Sequence, residues 1–422
     1  MKCQTHHIKT VNSNIRTMKK IYLIIISILI TNYCLSQNID NMNVITTTVP
    51  FLLINPNAQS MGIGDLGVVA SSDYYESGLT QNPALLSRNK KVAGFKVSYK
   101  PWLRHMNSDL WIGDIGFYYS FNQKTAIGFS LNYFSIGNVD FTDRNGNSIG
   151  SAKPYELYTN LRFARNITSN LSLGIGIKYF HSALTGGKTF NGIDGTAKGF
   201  AGDLGLNYQN EIKNNDDKYW KYSIGISILN VGNKISYTDT VGDFLPISLK
   251  LGTMWTFVNK LNSNTTYYLD IGYQMEKLLV PTPPIYSVND SNGMFLIGPD
   301  GNYVIEQGKD PNCSVFTGMY QSFYDAPGGF EEEIREILHI IGIENRFVFK
   351  NKTSFALRVG HLNEHKLKGN RKHIMFGLGV KYKFIYIDFG TIFLYKWYDD
   401  YQWSSFKKPF SVNLNLGFKH SF

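Results

Sequence analysis

From residue 92 to the C-terminal Phe422 the chain repeats one device: segments of roughly ten residues in which large apolar side chains alternate with small or polar ones. Successive side chains of a strand point to opposite faces, so this period of two predicts strands with one apolar and one polar face. In 124–135, Ile127, Phe129, Leu131 and Tyr133 share a face while Ala126, Gly128, Ser130 and Asn132 share the other. In 169–181, Leu171, Leu173, Ile175, Ile177 and Tyr179 oppose Ser172, Gly174, Gly176 and Lys178. In 245–258, Ile247, Leu249, Leu251, Trp255 and Phe257 oppose Ser248, Lys250, Gly252 and Thr256, and the last segment alternates through Val412, Leu414, Leu416 and Phe418. Fourteen such segments fall near 92–100, 110–121, 124–135, 155–166, 169–181, 199–208, 220–230, 245–258, 264–275, 340–350, 352–361, 372–384, 386–396 and 410–422. An even number is what a closed bacterial barrel needs.

The connections carry independent information. They run to about nine residues, then two, nineteen, two, seventeen, eleven, fourteen, five, over sixty, one, ten, one and thirteen. Short turns on one side and long loops on the other are the outer-membrane barrel pattern, and both ends of the barrel then fall on the short-turn, periplasmic side. The connection 209–219 is long for its side.

A soluble sandwich or secreted barrel also alternates, but its second face is usually rich in charge because it meets water. Here that face is dominated by Gly, Ser and Asn, with scattered charges at Arg162, Lys178, Asp203, Lys250, Asp270, Arg358, Lys381 and Asp388. That composition suits a lumen. Aromatic residues gather near segment ends, at Tyr99 and Trp102, Tyr118 and Tyr119, and Tyr395, Trp397 and Tyr398, as interfacial girdles require. The terminal Phe422 resembles the signal by which such barrels are recognised for assembly. The expected fold is all-β: a 14-stranded antiparallel transmembrane outer-membrane β-barrel with an N-terminal plug-like segment.

Two stretches do not alternate. Residues 37–91 contain Val49-Pro50-Phe51-Leu52-Leu53-Ile54, a glycine-rich run from Met61 to Gly67, and Asn82-Pro83-Ala84-Leu85-Leu86. So apolar a segment at the periplasmic entry of a barrel is expected to be buried in its lumen as a plug. The span 276–339 far exceeds ordinary loops and opens with Pro281-Thr282-Pro283-Pro284. Within it Phe330, Ile334, Ile337, Leu338 and Ile341 fall at helical spacing opposite a run of acids. The expected helix buries that stripe against its own barrel; the sharper alternative makes Phe330, Ile334, Ile337 and Leu338 a partner-binding surface.

Ahead of these, Met18-Lys19-Lys20 and the apolar run Ile21–Ile30 lead to Cys34-Leu35-Ser36 before Gln37, which reads as a secretory signal peptide. The chain then divides into a signal peptide at 1–36, with 1–17 reflecting an upstream start, a plug-like segment at 37–91, and a barrel at 92–422 with its long extracellular loop at 276–339. A lipoprotein reading of Cys34 is disfavoured by the bulky Thr31-Asn32-Tyr33. Cys3 and Cys34 leave with the leader, so Cys313 has no intramolecular disulfide partner. Half of the formal charge of +10 sits in the leader at Lys2, Lys9, Arg16, Lys19 and Lys20, which leaves no case for a nucleic-acid partner.

Chemical motifs are weak. His361-Leu362-Asn363-Glu364-His365 matches an H-x-x-E-H zinc spacing, but that chemistry needs a helix and this stretch follows a strand. Gly186-Gly187-Lys188-Thr189 lacks the first glycine of a phosphate loop, where Ser182 stands. Asp143, Asn145 and Asn147 approach a calcium loop, yet Ser148 replaces its Gly and Pro154 its Glu, leaving Asn145-Gly146 as a turn. The expectation is a protein with no catalytic, metal or cofactor site, and not an enzyme.

Specific strings add a resemblance. Ile45-Thr46-Thr47-Thr48-Val49-Pro50-Phe51-Leu52, Met61-Gly62-Ile63-Gly64-Asp65-Leu66-Gly67-Val68 and Gln81-Asn82-Pro83-Ala84 resemble the opening of the PorV family of outer-membrane barrels in the type IX secretion system of Bacteroidetes. The likeness continues through Val97–Leu103, Tyr133–Gly137, Phe141-Thr142-Asp143, Leu184–Gly187 and Gly369–Lys372. Asn-Pro-Ala alone is shared with the wider fatty-acid-transporter barrels. Asn55–Gln59 and Leu85-Leu86 depart from the pattern, which leaves room for a paralogue. The resemblance implies an outer-membrane protein that docks beside the large type IX translocon barrel, receives the C-terminal signal domains of secreted cargo, and hands them to a sortase-containing attachment complex. The alternative is a fatty-acid-transporter-like channel for hydrophobic small molecules; a passive porin fits least, given the apolar plug.

Overall fold

The computed structural model describes residues 42–70, 76–89, 92–102, 109–190, 194–213, 215, 217–238, 242–289, 294–394 and 410–418. The leader, Phe422 and the trio Tyr395, Trp397 and Tyr398 lie outside the described residues.

Fourteen long strands form one closed antiparallel barrel. They are β1 (Ala93–Pro101), β2 (Trp111–Ser120), β3 (Thr125–Ser135), β4 (Tyr155–Asn166), β5 (Leu171–Ala183), β6 (Thr196–Lys213) and β7 (Lys218–Gly232). The second half is β8 (Ser248–Asn262), β9 (Thr265–Leu278), β10 (Leu338–Phe349), β11 (Thr353–Asn363), β12 (Lys372–Tyr382), β13 (Ile385–Leu394) and β14 (Phe410–Phe418). Each strand pairs with its neighbours in sequence, and β1 closes on β14 with Ala93 opposite Phe418. Closure removes the sheet edges and pairs every strand on both sides, which a wall in lipid requires.

Side-chain exposure shows which solvent each face is built for. Along β11, Leu357 is 58% exposed and the next residue, Arg358, 2%. The same inversion holds on every side: Ile115, Phe129, Ile175, Leu204 and Leu378 point outward, while Lys96, Asp114, Arg162, Asp203 and Arg346 are buried inside. An apolar outer belt around a polar interior is the design of a transmembrane barrel.

Short turns at 121–124, 167–170, 263–264, 350–352 and 383–384, and the short connection from Lys213 to Lys218, lie at one end and the long connections at the other. The connection expected to be long at 209–219 is short, because the flanking strands run to Lys213 and resume at Lys218. Ladder pairing continues from Gln209 opposite Ser223 to Lys213 opposite Tyr219, although the apolar alternation has faded. Glu211 meets Lys221 across the two strands at 2.7 Å, so the hairpin is polar and still paired.

Girdles are present at both ends. Tyr99, Trp111, Tyr133, Tyr155 and His181 form a run of ring contacts across β1 to β5 at the long-loop end, with centroids 6.0, 5.4, 5.9 and 5.8 Å apart. Tyr208, Tyr222 and Trp255 do the same near the short turns. Two expected members belong elsewhere. Tyr118 is buried in the lumen, as its position one residue from the outward Tyr119 demands, and Trp102 packs against the apolar cluster under the long loops.

The described residues of 42–89 fill the lumen. The segment does not merely block the short-turn entry; it threads the barrel from mouth to mouth. Thr48 N–H donates to the Phe244 carbonyl in a long loop at 2.9 Å, whereas Arg88 Nη1 donates to the Ser169 carbonyl in a short turn at 2.6 Å. Along this path a belt of inward glycines makes room. Gly272, Gly342 and Gly360 are successive cross-strand partners, as are Gly377 and Gly390, Gly252 and Gly225, and Gly205 and Gly174. The glycine-rich second face of the strands is thus a seat for a backbone.

The Asn82-Pro83-Ala84 string has a mechanical reading there. Asn82 Oδ1 accepts from Ala84 N–H at 3.1 Å, capping the tight turn Pro83–Arg88, while its amide donates to the carbonyls of Val68 (2.7 Å) and Leu206 (3.1 Å). One side chain therefore ties two parts of the plug to the wall, and Ala84 fits because Gly174 opposite has no Cβ.

Buried charges are met, as low polarity demands. Asp203 accepts from Arg162 (2.5 Å), from the Asn230 backbone (2.9 Å) and faces Lys178 (3.6 Å). Arg162 also donates to the plug carbonyls of Gly78 (3.0 Å) and Thr80 (3.1 Å). Arg358 bridges Glu344 (2.5 Å) and Asp388 (2.7 Å). Gln274 Oε1 accepts from both Gly67 and Val68 at 3.0 Å.

Candidate partner-binding surface at the long-loop mouth

At the long-loop end the lumen is sealed by apolar packing. Val49, Phe51 and Leu52 of the plug meet Leu245, Ile247 and Leu279 from the loops and Phe134, Tyr158 and Phe180 from the wall. Pro50 starts the tight turn Pro50–Leu53 that folds these side chains together.

The connection 279–337 is the largest element at this mouth. Its first residues, Leu279 and Val280, are buried, and Pro281 packs on Gly318, where a Cβ would sit 2.6 Å from the Phe244 ring. Two short helices follow, α1 (Val315–Gln321) and α2 (Gly329–Arg335). Ser314 caps α1 by accepting from Thr317 N–H at 3.2 Å. Glu332 reaches back to the Gly328 N–H at 2.6 Å, fixing the start of α2.

This second helix is mounted the opposite way from the expectation. Except for the exposed Glu331, which pairs with Arg335, its acids face the barrel: Glu333 and Glu336 take Lys277 of β9 at 3.0 and 2.5 Å, and Lys368 of the 364–371 loop takes Glu332 and Glu336 at 2.5 and 2.9 Å. Thr282 Oγ1 donates to Glu336 at 2.6 Å, and Asn43 of the plug donates to Glu332 and to the Pro283 carbonyl, both at 3.1 Å. The acids are committed to these bonds, so the apolar side is left outside. Phe330 is 79% exposed and Ile334 48%.

The helix is also shorter than its apolar spacing suggested. It ends at Arg335, and β10 starts at Leu338. Ile337 is half-buried in the junction, Ile341 lies on the outer wall, and Leu338 is buried in a lumen cluster with Met254 and Ile340. Leu338 is therefore withdrawn from the surface, whereas Phe330 and Ile334 stand on it. Sequence reasoning missed their companions: Phe316, Tyr320 and Phe323, exposed on or just after α1, and Phe295, Ile297 and Tyr303 on a small hairpin in the same loop. Their signal was high aromatic content in an otherwise polar loop. Within the hairpin Phe295 and Tyr303 are in ring contact, with centroids 5.3 Å apart.

Among the ionisable groups here, Asp325 is pushed up to about 6 by burial, with Glu333 and Glu336 adding to it. Glu332 lies below the usual carboxylate range; burial opposes this, but the hydrogen bonds from Lys368, the Gly328 N–H and Asn43, with the Lys368 charge, together outweigh it. In the nearby H-x-x-E-H string His361 lies within β11, two residues before its end at Asn363, and Glu364 is held by Arg371 through two bonds of 2.9 and 2.7 Å. Asp143 closes a turn, accepting from the backbones of Asn145 and Asn147 at 2.8 Å each.

A family model described as type IX secretion system protein PorV matches residues 37–285. No curated protein matches the chain. Among solved structures, the chain is similar to the toluene transporter TodX of Pseudomonas putida (15% identity, 86% of this chain and 98% of that one, TM-score 0.45). It is similar also to a FadL homologue of Pseudomonas aeruginosa (10%, 89% and 99%, TM-score 0.40) and to the toluene transporter TbuX of Ralstonia pickettii (11%, 86% and 98%, TM-score 0.41).

Proposed function

Because the chain belongs to the PorV family of type IX secretion system proteins, we propose that it is a non-enzymatic outer-membrane carrier whose long loops face the outside. It binds the C-terminal signal domains of secreted cargo at the large translocon barrel and delivers them to the sortase-containing attachment complex. The observation that supports this most is α2, whose buried acids leave Phe330 and Ile334 presented to a partner. Aromatic anchors on a fixed support suit protein recognition, because little side-chain freedom is lost on docking.

The rival reading, a channel for hydrophobic small molecules, needs an apolar pocket of ligand size. The crevice beside the plug lined by Leu52, Tyr158, Leu229, Asn230 and Lys250 among others is not such a pocket, since it encloses about 20 Å³, enough for little more than one water.

The test replaces Phe330 and Ile334 with Ser in the intact protein. Cargo should then accumulate in the periplasm and the translocon barrel should no longer co-purify from detergent extracts, while the variant still migrates as a folded barrel. Normal secretion and normal co-purification would remove this surface from the account. Normal secretion after deletion of the whole gene, with lost uptake of a fatty acid or aromatic hydrocarbon, would replace the carrier by the channel.

A further inference from the structure

The short-turn rim is uneven in charge. The turns 350–352 and 383–384 carry Lys350, Lys352 and Lys383, and no Asp or Glu occurs in 345–363 or 371–387. The two turns touch, with Lys383 N–H donating to the Lys352 carbonyl at 3.2 Å. All three lysines are exposed, and among the described residues none of them joins a salt bridge. Elsewhere on the same rim Lys221 is met by Glu211 at 2.7 Å and Lys260 by Asp217 at 3.4 Å, while Lys124 and Lys218 stand singly and do not cluster across two touching turns.

Backbone conformation sharpens the contrast. Lys352 (φ 66°) and Lys383 (φ 54°) both occupy the left-handed region, which Gly or Asn adopts at less cost. Two adjacent turns thus keep lysine where another residue would be easier. An outlier of this kind points to a use for the side chain.

Position identifies the partner. Tyr382, Phe384 and Phe355 are exposed on the outer wall beside these lysines, and Lys383 Nζ stands 5.1 Å from the Tyr382 ring. The turns are two and three residues long, so these lysines follow directly on the exposed aromatics of the outer wall, and basic side chains beside interfacial aromatics are the groups that meet lipid headgroups. We infer that Lys350, Lys352 and Lys383 form a docking surface for the phosphate of an anionic phospholipid headgroup in the inner leaflet. The choice of leaflet rests on the outer-membrane orientation proposed above; the contact itself does not depend on secretion.

The test is native mass spectrometry of the full protein extracted from bilayers of mixed phosphatidylethanolamine and phosphatidylglycerol, comparing wild type with the K350Q/K352Q/K383Q variant and a K218Q/K260Q control. Wild type and control should retain phosphatidylglycerol in preference, and the triple variant should lose roughly fivefold in that preference for each lysine removed. Added inorganic phosphate should not displace the lipid. Equal retention by the triple variant, displacement by free phosphate, or lysine-dependent capture of an acidic periplasmic protein in place of lipid would overturn the inference. A secretion assay on the same variants separates the two readings, since normal secretion with lost lipid leaves the carrier role standing.

Discussion

A Cβ on Gly360 of the wall would lie 1.8 Å from the backbone nitrogen of Gly64 in the plug, so the two meet backbone to backbone. Gly342, its cross-strand partner, also meets the plug backbone, with a Cβ 2.4 Å from the Ile63 carbonyl oxygen. Neither neighbour is a flexible side-chain end that can swing aside. Gly360→Val should therefore push the plug off the wall at a cost on the order of 1–3 kcal/mol or more. The expected outcome is a lower unfolding temperature in detergent and conductance in planar bilayers, with a silent wild type as reference.

Arg358 holds two carboxylates, Glu344 and Asp388, in a buried site. Truncating it removes the cation they share and leaves Glu344 to Arg346 at 3.1 Å, whereas truncating Asp388 leaves Arg358 the Glu344 carboxylate. Arg358→Ala should cost about 3–5 kcal/mol, more than Asp388→Ala, as read from denaturant unfolding of the reconstituted barrel.

Lys368 and Lys277 are the two cations that fasten α2 through Glu332, Glu333 and Glu336. Lys368→Met should release the loop without disturbing the wall. Hydrogen exchange is the measurement: amides of 279–337 should exchange faster while those of β9 and β10 keep their protection.

Asp325 gives the same loop a pH dependence. Its folded-state value of about 6 lies above the ordinary one, so the folded loop holds a proton that the released loop has lost between about pH 4 and 6. Attachment therefore weakens as pH rises through that window and is flat above it. Glu332, below its ordinary range, acts in the opposite sense but only in more acidic solution. Protease cleavage within 279–337 should be slower at pH 5 than at pH 7.5, and Asp325→Asn should remove most of that difference.

Much of the barrel was legible because period two is a local property. Ile175 and Gly176 must face opposite ways whatever surrounds them, and the scattered charges at Arg162, Asp203, Arg358 and Asp388 fall inside for the same reason. Applied to Tyr118 and Tyr119, that rule also separates the lumen residue from the girdle residue. The orientation of α2 was not legible. Helical spacing gives the stripe but not which side meets protein, and here Lys277 and Lys368, 59 and 32 residues from Glu336, decide it. The end of that helix was hidden too, since Leu338 continues the apolar spacing while already belonging to β10. Nor did alternation show where β6 and β7 end, because Gln209–Lys213 pairs through its backbone after its side chains have become polar.

The central claim is that the apolar face of these strands meets lipid. It is tested most directly by refolding the chain without its leader from urea in the presence and absence of phospholipid bilayers, followed by sedimentation and gel mobility with and without boiling. The account predicts a compact, heat-modifiable β form only when lipid or detergent is supplied, and aggregation without it. A water-soluble, folded monomer in plain buffer would contradict it.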